Sequence, residues 1–374
     1  MRPDFERLAT VLFLEGEPDR VPFYDLLADP EVVEAITGEH VRPYDVKAAV
    51  RGDEGQLRAL RHSARVYVKF FYKLGYDYAP LPIPSPFPRD NVIMADDTAP
   101  LPRPKRAWQD EHRGVIEDRE DFHEYPWPDQ AELQDEYMLV YNAWRRELPE
   151  GMMLIPLTPG GVLENVMWLM GTVPFARALY RDPGLVRMMF EKVGRVISFY
   201  CSISAECDMV GAMTVGDDMG YKSGLMLSPR HLRELVFPWH RRCADAVHRH
   251  GKPFILHSCG NIRLVMEDLI ERVGIDAKHS FEDESYPVTE YKELYGDRIA
   301  ILGGVDMDKL SRMPPRQFAE YVREIIRRCA PGGGYALGCG NSVANYIKLE
   351  NYLLMLEIGR KYGRYPRATA PGDG

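Results

Sequence analysis

The chain has no excess of basic residues. Lys and Arg number 47 against 56 Asp and Glu in 374 residues, for a formal net charge of −9, and no basic run occurs. A nucleic-acid groove or an anionic membrane surface requires clustered cations, so neither is an expected partner. Long apolar runs are also missing, so no segment spans a bilayer. The stretch from Met1 to Asp19 is too charged for a signal peptide. Cysteine is scarce. Six in a chain of this length do not make a disulfide framework, and reduced thiols in a cytoplasm are the expectation. There is no dinucleotide fingerprint either; Pro331-Gly332-Gly333-Gly334 only punctuates a helix-to-strand turn.

What the chain does contain is the stretch Pro253-Phe254-Ile255-Leu256-His257-Ser258-Cys259-Gly260-Asn261. It begins apolar and ends in two potential metal ligands. Side chains two apart on a strand share a face, so His257 and Cys259 point the same way where the strand runs out. Tyr335-Ala336-Leu337-Gly338-Cys339-Gly340-Asn341 repeats the Cys-Gly-Asn ending eighty residues later. One imidazole and two thiolates are a donor set for catalytic zinc with one open position. Taken singly, each residue reads as ordinary, since cysteine is often a small buried hydrophobe and the spacing matches no zinc finger.

The rest of the chain reads as alternating strands and helices. Residues 1–16 predict a helix with Phe5, Leu8, Val11 and Leu12 on one face, and helices follow at Glu31–Thr37 and Glu54–Leu74. Strands are expected at Val21–Leu26, Tyr76–Leu81, Met153–Thr158, Asp208–Val215, Pro253–His257, Ile275–Phe281, Ile299–Gly303 and Gly334–Gly338. Helices are expected near 182–205, 228–249, 261–272, 315–329 and 345–362, with Ser228-Pro229 as a start signal. Eight strands alternating with helices indicate an α/β chain folded as a (β/α)8 TIM barrel, one domain over residues 1–374. Residues 82–130 interrupt the rhythm and read as an insertion near the barrel mouth. Its expected hairpin joins Trp108–Glu111 to Gly114–Glu117, and Trp108, Tyr125 and Trp127 offer stacking surface.

Barrel active sites lie at the C-terminal ends of the strands. Polar residues fall there repeatedly. Tyr24, Asp25, Tyr221, Asn261, Asp306 and Asn341 are the candidate substrate-binding residues, and Asp217 and Asp218 the candidate catalytic pair. A carboxylate there can hydrogen-bond substrate or supply a proton near a leaving group.

Several of these stretches together resemble the uroporphyrinogen decarboxylase superfamily. They are Asp19-Arg20-Val21-Pro22, Asp217 through Lys222, Leu227-Ser228-Pro229, His257-x-Cys259-Gly260-Asn261, Gly303-Gly304-Val305-Asp306 and Gly338-x-Gly340-Asn341. The resemblance covers nearly the whole chain and implies a uroporphyrinogen decarboxylase-like (β/α)8 barrel. It offers two chemistries. Metal-free decarboxylases carry an arginine-rich motif after the first strand that grips a polycarboxylate tetrapyrrole. Residues 21–40 here contain no Lys or Arg, while Asp25, Asp29, Glu31 and Glu34 make the region acidic and repel such a substrate. The cobamide-dependent methyltransferase branch carries His-x-Cys and a distant Cys as zinc ligands, and His257, Cys259 and Cys339 match residue by residue.

The resemblance therefore implies Zn2+ and a corrinoid (cobamide). No Asp-x-His-x-x-Gly corrinoid motif occurs, so the cobamide is expected on a partner corrinoid protein. The leading expectation is O-demethylation of a small methoxylated aromatic methyl donor. The alternatives are transfer to a small-molecule methyl acceptor, a coenzyme M-type thiol; a metal-free decarboxylase; and a barrel that only binds its partner.

The fourth zinc ligand is left between water and Glu282. Alternation puts His279 and Phe281 on one face of the sixth strand and Ser280 and Glu282 on the other. Ile275 and Ala277 share the face of His279, which suits the helix side, so Glu282 would point inward with Asp276 and Ser280. Some thiol-methylating members of the superfamily use a glutamate after this strand that yields to the incoming thiol.

Overall fold

The computed structural model describes residues 2–101, 103 and 105–365. Among these residues the strands, in chain order, are β1 (Tyr78–Pro82), β2 (Val92–Ala95), β3 (Arg106–Gln109), β4 (Met153–Leu157), β5 (Met213–Gly216), β6 (Gly220–Tyr221), β7 (Gly224–Leu225), β8 (Phe254–His257), β9 (Ala277–His279), β10 (Ala300–Leu302) and β11 (Tyr335–Ala336). Seven of them form one sheet in the order β1-β4-β5-β8-β9-β10-β11. Every pairing in it is parallel. Such a sheet is buried on both faces, and β5, β8, β9, β10 and β11 are buried at every residue.

The eighth stave is the segment before β1. Tyr24 N–H donates to Leu337 O (2.9 Å), and Leu337 N–H donates to Pro22 O (2.9 Å), which lays this segment parallel to the end of β11. Its other side meets β1 through side chains. The Tyr78 hydroxyl accepts from Asp25 N–H (2.9 Å) and donates to Asp25 O (2.6 Å), and the Tyr24 and Tyr78 rings stack at 5.5 Å. Pro80 has no N–H to give a ladder, and β1 makes its backbone pairs with β4 alone. The chain is thus the TIM-barrel-like fold expected, closed by a seam of tyrosines.

Helices fill the intervals where apolar spacing predicted them, at Glu54–Leu74, Pro183–Ala205, Pro315–Cys329 and Leu349–Tyr362. The segment expected as one helix over 228–249 is interrupted. Ser228 caps it by accepting from His231 N–H (3.2 Å), then Leu232–Val236 widens to a π turn before Phe237–His248. Pro238 lacks the N–H that would close the α-helical bond four residues back, which favours the wider turn.

The insertion does not pair as expected. Trp108 and Gln109 are in a hairpin, but their partners are Ile93 and Val92. The segment from Gly114 is tied elsewhere: Val115 and Ile116 N–H both donate to Leu169 O (2.7 and 3.0 Å). Tyr125 and Trp127 are half-buried, pack against one another and, with Phe87 and Phe122, form an aromatic cluster. Trp108 stays 55% exposed. The insertion is fastened to strand ends: Asn345, beyond β11, donates to Asp97 (2.6 Å) and accepts from Arg106 (2.6 Å), and Arg103 bridges Asp29 and Glu31. No helix of the described residues is long and apolar enough to cross a membrane.

Candidate metal centre

His257 ends β8 in register with Gly216 of β5 and His279 of β9. Its Nδ1 lies 2.7 Å from His279 Nδ1. Its Nε2 faces the other way, 3.5 Å from Cys259 Sγ and 3.7 Å from Asp218 Oδ1. Asp218 Oδ1 also accepts Cys259 N–H (2.8 Å), which ties the loop after β5 to the turn after β8. Donor atoms of Asp218, His257 and Cys259 all lie within 4.8 Å of one another.

This spacing fits zinc. Bonds of about 2.0–2.3 Å on a tetrahedral ion put neighbouring donor atoms about 3.3–3.8 Å apart. The separations at His257 Nε2 fall inside that window before any ion is added. Burial favours the neutral form of both ring and thiol, which suits ligation by the imidazole and opposes ionisation of the thiol. Burial, with the charge of Lys278, pushes the His257 pKa down to about 3, leaving a neutral imidazole. Burial, then the Asp218 charge, pushes the Cys259 thiol well up. A divalent cation would oppose both effects on the thiol. The Cys259 sulfur already accepts from Asn341 Nδ2–H at 3.2 Å, and Ser280 Oγ stands 3.6 Å away.

The two adjacent aspartates divide. Asp217 is fully buried and faces away from the cluster. It accepts from Val162, Leu163 and Glu164 N–H (2.9, 3.1 and 2.9 Å) at the start of the Val162–Met170 helix, and it lies 2.7 Å from His240 Nε2. A carboxylate on the free N–H groups of a helix start is held by charge-assisted bonds and the helix dipole. Gly161 permits the approach, since a Cβ there would fall 2.0 Å from the Asp217 side chain. Asp218 alone faces His257 and Cys259. Glu164 is on the same helix turn, and burial, then the charges of Asp218 and Asp217, hold its pKa well above the carboxylate range.

Cys339 is not in the 4.8 Å group. It is fully buried, and its N–H donates to Asp25 Oδ1 (2.7 Å). Asp25 is a buried floor residue that accepts from Tyr76 and from Tyr352 (3.1 Å). Tyr24 bonds Thr214 (3.2 Å) under the cluster, with its ring edge-on to His279. Tyr221 is exposed, and Asn261 turns outward to a cavity of about 680 Å³ shared with Arg263 and Leu264. Asp306 caps the Met307–Arg312 helix through Asp308 and Lys309 N–H and also accepts Asp283 N–H (2.9 Å), so its oxygens are engaged.

The facing inferred for β9 is reversed. His279 points into the barrel, and Lys278 points to the helices, over the rings of Phe281 and Tyr291. Asp276 is spent on His248 and Phe254 N–H. Alternation then fails at Ser280, whose φ is +108°, so Ser280 joins the site without changing the sense of β9. Glu282 lies past this kink in a turn bridged to Tyr286, outside the donor group.

The family described as uroporphyrinogen decarboxylase (URO-D) matches residues 112–362. The chain belongs to the uroporphyrinogen decarboxylase family. Among solved structures it is similar to a methyltransferase from Methanosarcina mazei, at 15% identity and TM-score 0.70, covering 97% of this chain and 99% of that one. A β-glycosidase from Thermosphaera aggregans matches at TM-score 0.47 and 15% identity, over 94% and 98% of the two chains. No curated protein matches.

Two residues of this uroporphyrinogen decarboxylase family member escaped the sequence reading. His279 was signalled only by its register opposite His257 at neighbouring strand ends. Glu164 had no signal beyond its place three residues into a helix. The match to the family begins inside the insertion and includes every residue of the donor group.

Proposed function

We propose that this chain is a zinc-dependent methyltransferase acting in the cytoplasm with a corrinoid protein, moving a methyl group between a small methoxylated aromatic and cobalt. The observation that carries the reading is the convergence of His257 Nε2, Cys259 Sγ and the Asp218 carboxylate at zinc spacing. The acidic segment after the first stave supports a transferase over a decarboxylase of polycarboxylates. The guanidinium that reaches it, Arg103, is already taken up by Asp29 and Glu31.

In this reading His257 and Cys259 hold the metal, Cys339 supplies the second thiolate, and a carboxylate completes the resting set. Asp218 has the better claim to that last position, with Glu282 the more distant candidate. Zinc, when bound, would polarise the substrate oxygen or sulfur that displaces this carboxylate. Asn341 shares the charge of the Cys259 sulfur. Glu164, whose burial favours its protonated form, and Asp218 flank the leaving oxygen. In demethylation the O–CH3 bond breaks, the methyl passes to cobalt(I), and the oxygen keeps the electron pair and takes a proton. Tyr221, Asn261 and the exposed Trp108 hairpin border the mouth where substrate and partner arrive.

The test is metal analysis of protein purified with reduced thiols, then a spectroscopic screen of methoxyarenes against cobalt(I) cobalamin. About one zinc per chain and methylation of cobalt are expected. Protein that takes up no zinc ends this reading. Zinc uptake with transfer only from methylcobalamin to a thiol moves it to the coenzyme M-type direction.

A further inference from the structure

We propose that His279 is a positioning residue: it fixes the tautomer of His257 so that the lone pair of His257 Nε2 faces Cys259 and Asp218. The argument follows the protons along a short chain. His279 Nε2 lies 3.1 Å from the carbonyl oxygen of Cys339, and a carbonyl only accepts. The ring proton of a neutral His279 therefore belongs on Nε2, which leaves its Nδ1 bare. The 2.7 Å contact between the two Nδ1 atoms then needs a proton from His257. His257 carries it on Nδ1, and its Nε2 is left as a lone pair.

The opposite arrangement is worse at both ends. It sets a bare His279 Nε2 against the lone pairs of the Cys339 carbonyl. It also points a His257 N–H at Asp218 Oδ1 3.7 Å away, beyond hydrogen-bond range. The anchor is rigid, because the same Cys339 carbonyl also accepts Gly304 N–H (3.3 Å). His279 is wholly buried, with the Tyr24 ring edge-on to it and the ring centres 5.2 Å apart, so it cannot turn away without opening the barrel floor. The backbone of Cys339, after β11, thus sets the protonation of a ligand three strands away, on β8. Ligating imidazoles are commonly oriented by a partner at the other ring nitrogen. Here the partner is a second imidazole.

The consequence for metal uptake rests on the zinc reading above; the tautomer does not. The experiment is 15N NMR of the histidine rings, with His257→Gln identifying the His257 signals, alongside zinc affinity by chelator competition. His279→Asn keeps an acceptor where Nδ1 stood; His279→Leu removes it. Wild type and His279→Asn are expected to carry the His257 proton on Nδ1. His279→Leu should populate the other tautomer and bind zinc about ten- to a hundredfold more weakly. A wild-type His257 protonated on Nε2, or a folded His279→Leu protein with unchanged tautomer and affinity, overturns the proposal. Should His279→Leu fail to fold, the wild-type and His279→Asn spectra still decide. If wild type binds no zinc, the zinc reading falls while the spectra decide the relay on their own.

Discussion

Two strand ends of this barrel carry the same three residues, and the fold uses them differently. Cys259-Gly260-Asn261 follows β8, and Cys339-Gly340-Asn341 follows β11. In each, the cysteine N–H donates to an aspartate from a neighbouring strand end, Asp218 for Cys259 and Asp25 for Cys339. There the likeness stops. Asp25 is sealed, with its oxygens shared among Tyr76, Tyr352 and Cys339. Asp218 keeps 31% of its side chain exposed and has room for a ligand. Asn261 turns out to solvent, and Asn341 turns back onto the Cys259 sulfur. One copy builds a site and the other builds its floor. A motif repeated in sequence fixes a turn, and the neighbouring carboxylate decides whether the turn is open.

The largest expected effect tests that asymmetry at the thiols. Cys259→Ser removes a soft donor from the assembled group, and zinc affinity should fall by more than about a hundredfold, the upper range for loss of a mere outer-shell partner. The Tm should stay within about 3 °C, because the barrel core is built without metal. Cys339→Ser should also lower zinc content, by less. Metal analysis after dialysis against a chelator reads both. A Cys339→Ser protein that holds zinc as tightly as wild type would make Asp218 the third donor and Cys339 a packing residue.

The second contrast is between the aspartates. Asp25→Ala leaves the Cys339 N–H and one hydroxyl of the mutually bonded Tyr76–Tyr352 pair (2.9 Å) without an acceptor. At roughly 1–3 kcal/mol per orphaned group, less the relief of unburying a carboxylate, the net loss should be about 3 kcal/mol. Asp218→Ala should change stability by under about 1 kcal/mol, since it leaves one N–H beside solvent, and should lower zinc affinity instead. Urea melts separate the two.

The same melts carry a pH signature. Burial raises the Asp25 pKa from 3.8 to about 6, against the hydrogen bonds that lower it. The folded state therefore holds this proton more tightly than the unfolded chain does. The contribution is full below pH 3.8 and is lost as pH rises through about 6. At about 1.4 kcal/mol per unit the whole change is on the order of 3 kcal/mol. The stability of wild type relative to Asp25→Asn should decline across that window and level off above it. A flat difference would mean that Asp25 is ionised throughout.

Much of the barrel was legible because apolar runs ended in polar residues at regular intervals, and β8 and β11 fall inside their expected ranges. The site was legible only in part. Asp217 and Asp218 look interchangeable in sequence; what parts them is the start of a helix more than fifty residues earlier. The sense of β9 was misread because Lys278, an ionisable residue, lies on the helix side among aromatic rings while a histidine takes the inside. A backbone kink at Ser280 then breaks the count before Glu282 is reached. Trp108 fell in the expected hairpin region but paired with a strand whose weak pattern (Val92–Ala95) gave no warning. Short-range periodicity finds elements; it does not find which long-range partner claims a side chain.

The smallest effect sharpens the comparison at its last residue. Asn341 donates to Cys259 Sγ at 3.2 Å, whereas Asn261 makes only a local contact, accepting Arg263 N–H at 3.3 Å. An N–H bonded to a metal-bound thiolate stabilises the anion and weakens its donation to the metal. Removing it leaves charge at the sulfur that the pocket must otherwise carry. A hydrogen bond to a charged group is worth about 1.5–3 kcal/mol when fully formed, and sulfur is a softer, longer acceptor. Asn341→Ala should therefore lower methyl transfer about three- to tenfold, near 1 kcal/mol, and raise the pH at which zinc is taken up. Asn261→Ala should leave zinc uptake unchanged, because its amide touches neither thiol nor carboxylate of the cluster. Transfer rates and zinc uptake across pH, measured on the two variants side by side, check this. Equal losses in both would mean that the two turns act alike and that the difference between them lies in the aspartates alone.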